Sequence, residues 1–195
     1  DSTGFMVSAD LSPDGSQIVY DRSDKGFTKP EIAIVSSLGG FSKRIVNLGF
    51  WPRWRPDGER IAYMVNPQWG SKSGKVEFRS VKPNGSDDRL EFTDNSPRVY
   101  TYAWSPDGKE ICIARRTPDG ASEIFVRNLA SGEERQLTSF KKSTFYVDWT
   151  QSNHIIFSSD INGNTNLWMM PSAGGTAVQI TRGSGPDAAP IASAD

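Results

Sequence analysis

Residues Tyr102 to Ala114 read YAWSPDGKEICIA, an apolar run, a four-residue turn and a second apolar run. In Ser105-Pro106-Asp107-Gly108 the proline presets φ for the second position of a type I turn and the aspartate suits the third. Gly108 tolerates the positive φ that follows. Trp104 and Ile111 flank the turn, so Xaa-Pro-Asp-Gly stands between short runs rich in aromatic and β-branched residues. The pattern predicts a tight β-hairpin, with Ala103 and Trp104 leading in and Ile111, Cys112 and Ile113 leading out.

The same hairpin lies elsewhere in the chain. Leu11-Ser12-Pro13-Asp14-Gly15 precedes Ile18-Val19-Tyr20, and Trp54-Arg55-Pro56-Asp57-Gly58 precedes Ile61-Ala62-Tyr63. A fourth copy, Trp149-Thr150-Gln151-Ser152-Asn153 before Ile155-Ile156-Phe157, loses Pro-Asp-Gly and is one residue shorter. Its turn must differ, and Asn153 is the residue suited to a left-handed conformation. A fifth copy begins at Ala192-Ser193-Ala194-Asp195.

Anchored at Leu11, Trp54, Trp104, Trp149 and Ala192, the copies recur at intervals of 43, 50, 45 and 43 residues. Repeats of roughly 40–50 residues are propeller blades when each holds four strands, or HEAT and armadillo units when each holds helices. No window carries a sustained 3.6-residue apolar stripe, and Gly or Pro interrupts almost every ten residues, so the helical option fails. Each unit also supplies a third strand: Glu31–Val35, Val76–Val81, Glu123–Val126 and Asn166–Met170. A glycine turn follows each, at Gly39-Gly40, Asn84-Gly85, Ser131-Gly132 and Gly174-Gly175. The fourth strand is marked by Arg44-Ile45, Arg89-Leu90, Gln136-Leu137 and Gln179-Ile180. Four strands per period make a blade.

Taken together, Trp-Ser-Pro-Asp-Gly, Ile-Xaa-aromatic, a polar residue before the third strand, a glycine turn and Gln-Leu-Thr resemble the Pro-Asp-Gly class of β-propeller repeats. That class includes TolB, the periplasmic partner of the Tol–Pal system, the propeller domains of tricorn-like and prolyl-oligopeptidase-like proteases, and bacterial sensor or surface proteins. The resemblance covers about residues 5–195. It implies an all-β propeller of four-stranded antiparallel blades, with units at about 5–47, 48–92, 98–139 and 143–182 and the start of a fifth at 186–195. These residues then form a single propeller domain or a fragment of one. The surplus inner strand leads us to expect part of a larger ring, of roughly six to eight blades by resemblance, or copies that associate to complete one.

Bulk properties set limits on function. A chain of 195 residues, 36% hydrophobic and 23% charged, has the composition of an ordinary folded domain. With 22 basic and 23 acidic side chains the net charge is −1, so no general pull toward nucleic acid or anionic membrane is expected. No apolar run approaches the roughly 18 residues of a membrane span, and no basic-then-apolar leader stands at the start. By resemblance to TolB the expected location is extracytoplasmic. Cys112, the lone cysteine, falls where Val19, Ala62 and Ile156 fall in the other units and is expected to be a buried strand residue.

If the four strands of a blade meander outward, the loops between strands two and three share one rim with the connections between blades. Long loops there favour function. On that rim the sequence places Arg22, Phe27, Trp69, Arg98, Tyr100, Arg115, Arg116, Lys141 and Lys142. Cations mixed with aromatics suit an acidic or peptide partner, because Trp, Tyr and Arg dominate binding hot spots. Tryptophans 54, 104 and 149, by contrast, recur once per unit beside a strand end and are expected to pack between blades. Asp14, Asp57 and Asp107 belong to turns, where the carboxylate bonds nearby backbone N–H groups.

Enzymatic patterns fail in this sequence. There is no Gly-Xaa-Ser-Xaa-Gly elbow, and the single histidine, His154, cannot assemble the several ligands of a metal-dependent lyase site. Asp160 to Asn166 alternates oxygen-bearing side chains, yet its glycine is at the fourth position and the terminal glutamate of an EF-hand is missing, so it is read as a turn. The expected function is a non-catalytic binding or sensor propeller of TolB type, without cofactor or metal, presenting a rigid rim to a protein or peptide. The alternative is the substrate-gating propeller of a tricorn-like or prolyl-oligopeptidase-like protease whose catalytic domain lies outside these residues.

Overall fold

The Pro-Asp-Gly turns form as their chemistry dictates. Gly108 N donates to Ser105 O at 2.8 Å, Gly15 N to Ser12 O at 2.8 Å and Gly58 N to Arg55 O at 2.9 Å, and the three glycines hold φ of 67°, 71° and 71°. Asp107 accepts from the Ser105 hydroxyl at 2.7 Å and from Lys109 N at 3.1 Å, which ties the turn to the strand that leaves it. In the copy without Pro-Asp-Gly, Asn153 takes φ 57° and donates to Thr150 O at 3.1 Å. The expected left-handed residue is in place.

A computed structural model describes residues 5–24, 29–65 and 75–192. The chain divides into two units, residues 1–95 and 96–195. Every described element is a β-strand, every described pairing is antiparallel, and the strands form four-stranded sheets in simple sequential order. Each sheet is one propeller blade.

Unit 1 holds two blades. The first is β1 (Phe5–Leu11), β2 (Gln17–Ser23), β3 (Glu31–Ser36) and β4 (Lys43–Val46); the second is β5 (Phe50–Trp54), β6 (Ile61–Val65), β7 (Val76–Val81) and β8 (Arg89–Asp94). Trp54, Ile61, Tyr63 and Val81 of the second blade pack on Val19, Ile32, Ile34 and Val46 of the first. Two carboxylates on the first blade bind backbone of the second. Asp10 Oδ2 accepts from Trp54 N at 2.7 Å, and buried Asp21 accepts from Ser8 N at 2.8 Å and Trp51 N at 2.9 Å.

Unit 2 repeats the plan with β9 (Arg98–Trp104), β10 (Glu110–Arg116), β11 (Ser122–Asn128) and β12 (Glu134–Gln136), followed by β13 (Thr144–Trp149), β14 (His154–Ser159), β15 (Asn166–Pro171) and β16 (Val178–Gln179). Its core joins Ala103, Cys112, Ala114, Ile124 and Val126 of one blade to Trp149, Ile155, Phe157, Trp168 and Met170 of the next. Trp54 and Trp149 therefore fill the space between adjacent blades, and Cys112 is wholly buried, as their repeat positions required. Burying each large apolar side chain stabilises by roughly 1.5–3 kcal/mol.

The first strand of every blade slips register once, at Met6/Ala9, Phe50/Arg53, opposite Ala114/Arg115, and at Thr144/Val147. Such bulges bend a strand and leave a backbone group without its ladder partner. Asp21 satisfies the groups at Ser8 and Trp51; in unit 2 Thr101 Oγ1 accepts from Val147 N at 3.1 Å and donates to Phe145 O at 2.9 Å. The fifth copy of the repeat is anchored too. Ala192 N donates to Asp148 Oδ2 at 2.8 Å, the counterpart, 44 residues apart in both cases, of the Trp54–Asp10 bond.

Candidate functional site

At the β10–β11 end of unit 2, sequence and fold bring cations and aromatic rings together. Arg116 is the register partner of Arg98. The Arg98 guanidinium lies 4.8 Å from the centroid of the Tyr100 ring, within cation–π range. Tyr100 meets Phe145 of the next blade edge to face, with centroids 5.1 Å apart and planes at 80°. Tyr100 and Phe145 each stand four residues before their blade's tryptophan, so one repeat position supplies both rings. Tyr146 follows, more than a third exposed.

Lys141 and Lys142 reach this end on the connection between β12 and β13, and a buried acid sets its course. Glu123, 2% exposed, accepts from the Thr138 hydroxyl at 2.6 Å and from Lys141 N at 2.7 Å. Thr138 Oγ1 in turn accepts from Ile124 N at 2.9 Å, and Lys142 O accepts from Ser122 N at 2.9 Å. Lys141 adopts φ 54° to make the corner. Both lysines and Arg116 are exposed. The neighbouring acid Asp119 is held below the usual carboxylate range by a hydrogen bond from the Thr117 hydroxyl, then by Ala121 N, with a smaller contribution from the charge of Lys141.

Other residues expected on the rim behave differently. Arg22, Arg98, Tyr100, Arg115 and Arg116 lie on strands rather than in loops, because β2, β9 and β10 run on beyond the apolar triplets that mark them in sequence. Arg115 turns onto the blade: its guanidinium forks onto Glu134, with Nη1–Oε2 at 3.0 Å, and sits 3.8 Å above the Phe125 ring. In unit 1, Arg22 pairs with Glu31, which Arg44 also approaches at 3.3 Å. Burial works to raise the Glu31 carboxyl, but these hydrogen bonds and charges hold it below its ordinary value. Phe27 and Trp69 lie outside the described residues.

The remaining set is Arg98, Tyr100, Arg116, Lys141 and Lys142, joined by Phe145 and Tyr146 of β13, which sequence reasoning did not single out. Their signal was available in the alignment of Tyr100 with Phe145. Among the described residues no three His, Cys, Asp or Glu side chains gather where they could hold a metal ion. Asp160 Oδ1 accepts from Ser143 N at 2.8 Å and Gly163 N donates to Asp160 O at 2.9 Å, so the segment from Asp160 is a hydrogen-bonded turn, as its sequence indicated. His154 starts β14, with Nδ1 at 2.9 Å from Ser152 O.

A profile of the TolB beta propeller domain matches residues 44–195, most of the chain. The chain belongs to the TolB beta propeller domain family. Dipeptidyl-peptidase 5 of Porphyromonas endodontalis is 32% identical over 108 residues, covering 52% of this chain and 15% of the relative. The TolB homolog of Chlorobium chlorochromatii is 27% identical over 138 residues, covering 71% of this chain and 30% of that protein. This TolB-family chain thus spans a minor part of the length of both relatives. The structure of a putative TolB from Agrobacterium tumefaciens superposes with a TM-score of 0.80 at 21% identity, covering 98% of this chain and 67% of that one. At that identity the likeness speaks for the fold.

Proposed function

We propose that this TolB-type propeller is a non-catalytic recognition module that works outside the cytoplasm and binds an acidic protein or peptide at the β10–β11 end of unit 2. The observation that carries the reading is that one end of unit 2 gathers Arg98, stacked on the Tyr100–Phe145 pair, with the exposed Arg116, Lys141 and Lys142. Rings supply area at low entropic cost and the cations select acidic groups. The acids at this end are Asp119, Glu123 and Asp160, but the four cations outnumber them and Glu123 is buried, so the surface keeps a cationic character. Fixed strands and a pinned corner reduce the ordering cost of binding.

Titration with a fluorescein-labelled polyglutamate peptide tests the site. The double variant Arg116→Glu/Lys142→Glu is expected to weaken binding about tenfold or more, and salt to weaken the wild type. Equal affinity of variant and wild type sinks the reading. The identity to Dipeptidyl-peptidase 5 supports a second reading: the substrate-gating propeller of a tricorn-like or prolyl-oligopeptidase-like protease whose catalytic domain lies outside these residues. A Gly-Xaa-Ser-Xaa-Gly elbow in the full-length protein, with peptidase activity lost on mutating its serine, would establish that alternative.

A further inference from the structure

Away from the rim, the β3–β4 turn of unit 1 carries two large apolar side chains, Leu38 and Phe41, both fully exposed. The repeat itself supplies the comparison that makes them informative. Lys43, Arg135 and Val178 occupy the same register position opposite Ile34, Val126 and Met169. Counting back from these, Phe41 corresponds to Glu133 and Thr176, and Leu38 to Ala130 and Ala173. The same turn therefore closes elsewhere in this protein on small and polar residues. Folding does not require leucine and phenylalanine in water here, and paired exposed hydrophobes of this kind mark contact sites.

Beside Phe41 lies a groove of about 420 Å³ whose walls include Ile34, Val35, Phe41, Pro83 and Lys43. That volume is within the range of sites for small ligands or a few side chains. Among the described residues lining it, Lys43 is the ionisable one, and its Nζ donates to Asn84 O at 3.0 Å. In unit 2 Arg135 makes the matching bond to Ser172 O at 3.1 Å, so the groove sits at a joint the fold repeats, altered in unit 1 by Phe41. The strand beginning at Lys43, β4, is the last of its sheet and continues with Arg44, whose side chain is largely exposed while one of its nitrogens, Nη1, stands 3.3 Å from Glu31 Oε2. An edge strand with cationic side chains resists random pairing yet favours an acidic strand.

We infer that this groove and edge form a second docking surface, for an extended acidic segment of a partner protein that carries one large apolar side chain. The apolar side chain lies in the groove against Phe41, the flanking carboxylates face Lys43 and Arg44, and the segment runs along β4. The surface is separate from the cluster at the β10–β11 end and does not depend on that reading.

The test uses a fluorescein-labelled peptide that alternates glutamate with valine and phenylalanine, and its lysine-for-glutamate counterpart. Phe41→Glu and Leu38→Ala install the residues that β11–β12 already tolerates, so both variants are expected to melt like the wild type. Binding of the acidic peptide is expected to fall about tenfold or more in Phe41→Glu, the effect of losing one buried aromatic contact, and to fall also in Lys43→Glu. Each titration is made in the Arg116→Glu/Lys142→Glu background, which disables the acidic-peptide site at the β10–β11 end, so the binding that remains reads the groove alone. In that background, no saturable binding, equal affinity in Phe41→Glu, or equal binding of the lysine peptide would each overturn the inference. So would concentration-dependent self-association that Phe41→Glu abolishes, since the occupant would then be a second copy.

Discussion

Removing the carboxylate of Glu123 should release the corner that carries Lys141 and Lys142. In Glu123→Ala the Thr138 hydroxyl and the Lys141 amide, which now donate at 2.6 and 2.7 Å, lose their acceptor in a site where Glu123 is 2% and Thr138 3% exposed. Each buried donor left without a partner costs about 1–3 kcal/mol, so the variant should lose about 2–6 kcal/mol. At the middle of that range, about 4 kcal/mol, a chain of this size melts about 8–16 °C lower. Glu123→Gln keeps one acceptor oxygen, which the rigid Lys141 N–H will take, and presents its NH₂ to Thr138 Oγ1; that exchange should cost only about 1–2 kcal/mol. Urea unfolding followed by tryptophan fluorescence measures both, and amide hydrogen exchange at Lys141 reads the local effect. If Glu123→Ala unfolds within about 1 kcal/mol of wild type, or its Lys141 amide stays protected, the corner is held by something else and the argument fails.

Trp149→Ala should destabilise by about 3–5 kcal/mol, because the indole fills the space between the two blades of unit 2; urea unfolding measures this. Asn153→Val should cost about 1–2 kcal/mol, since a β-branched residue resists φ 57°, whereas Asn153→Gly should be nearly neutral; thermal melts separate the two. Hydrogen bonds from Ser12, then Ser16, lower the Asp14 carboxyl from 3.8 to about 2, so its contribution is complete above about pH 4 and is lost as pH falls toward 2. Asp107 and Asp119 shift in the same direction, and turning all three to Asn should flatten the acid limb of a stability-versus-pH curve. Asp148→Ala should speed amide exchange at Ala192, as Asp10→Ala should at Trp54; if only one of the pair responds, the two bonds are not equivalent.

The blades were legible because their turns and cores obey local rules. Pro-Asp-Gly at Asp14, Asp57 and Asp107, the left-handed Asn153 and the interleaved Trp54 and Trp149 all follow from residue chemistry repeated at one period. The bulges were not legible. No single residue type encodes them, and their partners, Asp21 and Thr101, act across blades on backbone distant in sequence. The site was read in part for the same reason. Lys141 and Lys142 stand out as an exposed pair, but whether an arginine serves the rim depends on its neighbours on the sheet: Arg116, the last residue of β10, is exposed, while Arg115, one residue earlier, points to the other face and is taken by Glu134. Alternation along a strand decides that, and the bulge opposite Ala114/Arg115 sets the register.

A repeat protein also contains its own controls, and they bear on which departures matter. Glu123 and Asn166 occupy the same position at the start of the third strand, and Thr138 and Thr181 both accept from the next backbone amide, Ile124 N and Leu167 N. The blade is thus closed in the same way with either residue. Only Glu123 adds the bond that fixes the following connection, and that connection carries the lysine pair; Asn166 Oδ1 is buried with no protein donor. Glu31 and Glu77 stand at the same position in unit 1, where they pair with the cations Arg22, Arg44, Lys75 and Arg79; at Glu123 the acid instead holds the backbone that carries two cations, which links it to what those cations meet as well as to the stability of the sheet. Pre-ordering lowers the entropy lost on association, so the same substitution that loosens the corner should weaken the partner by more than the charge of either lysine would. Comparing Glu123→Ala with Lys142→Ala in the peptide titration places the two effects side by side: a loss confined to the lysine variant would mean that the corner's rigidity contributes nothing to recognition.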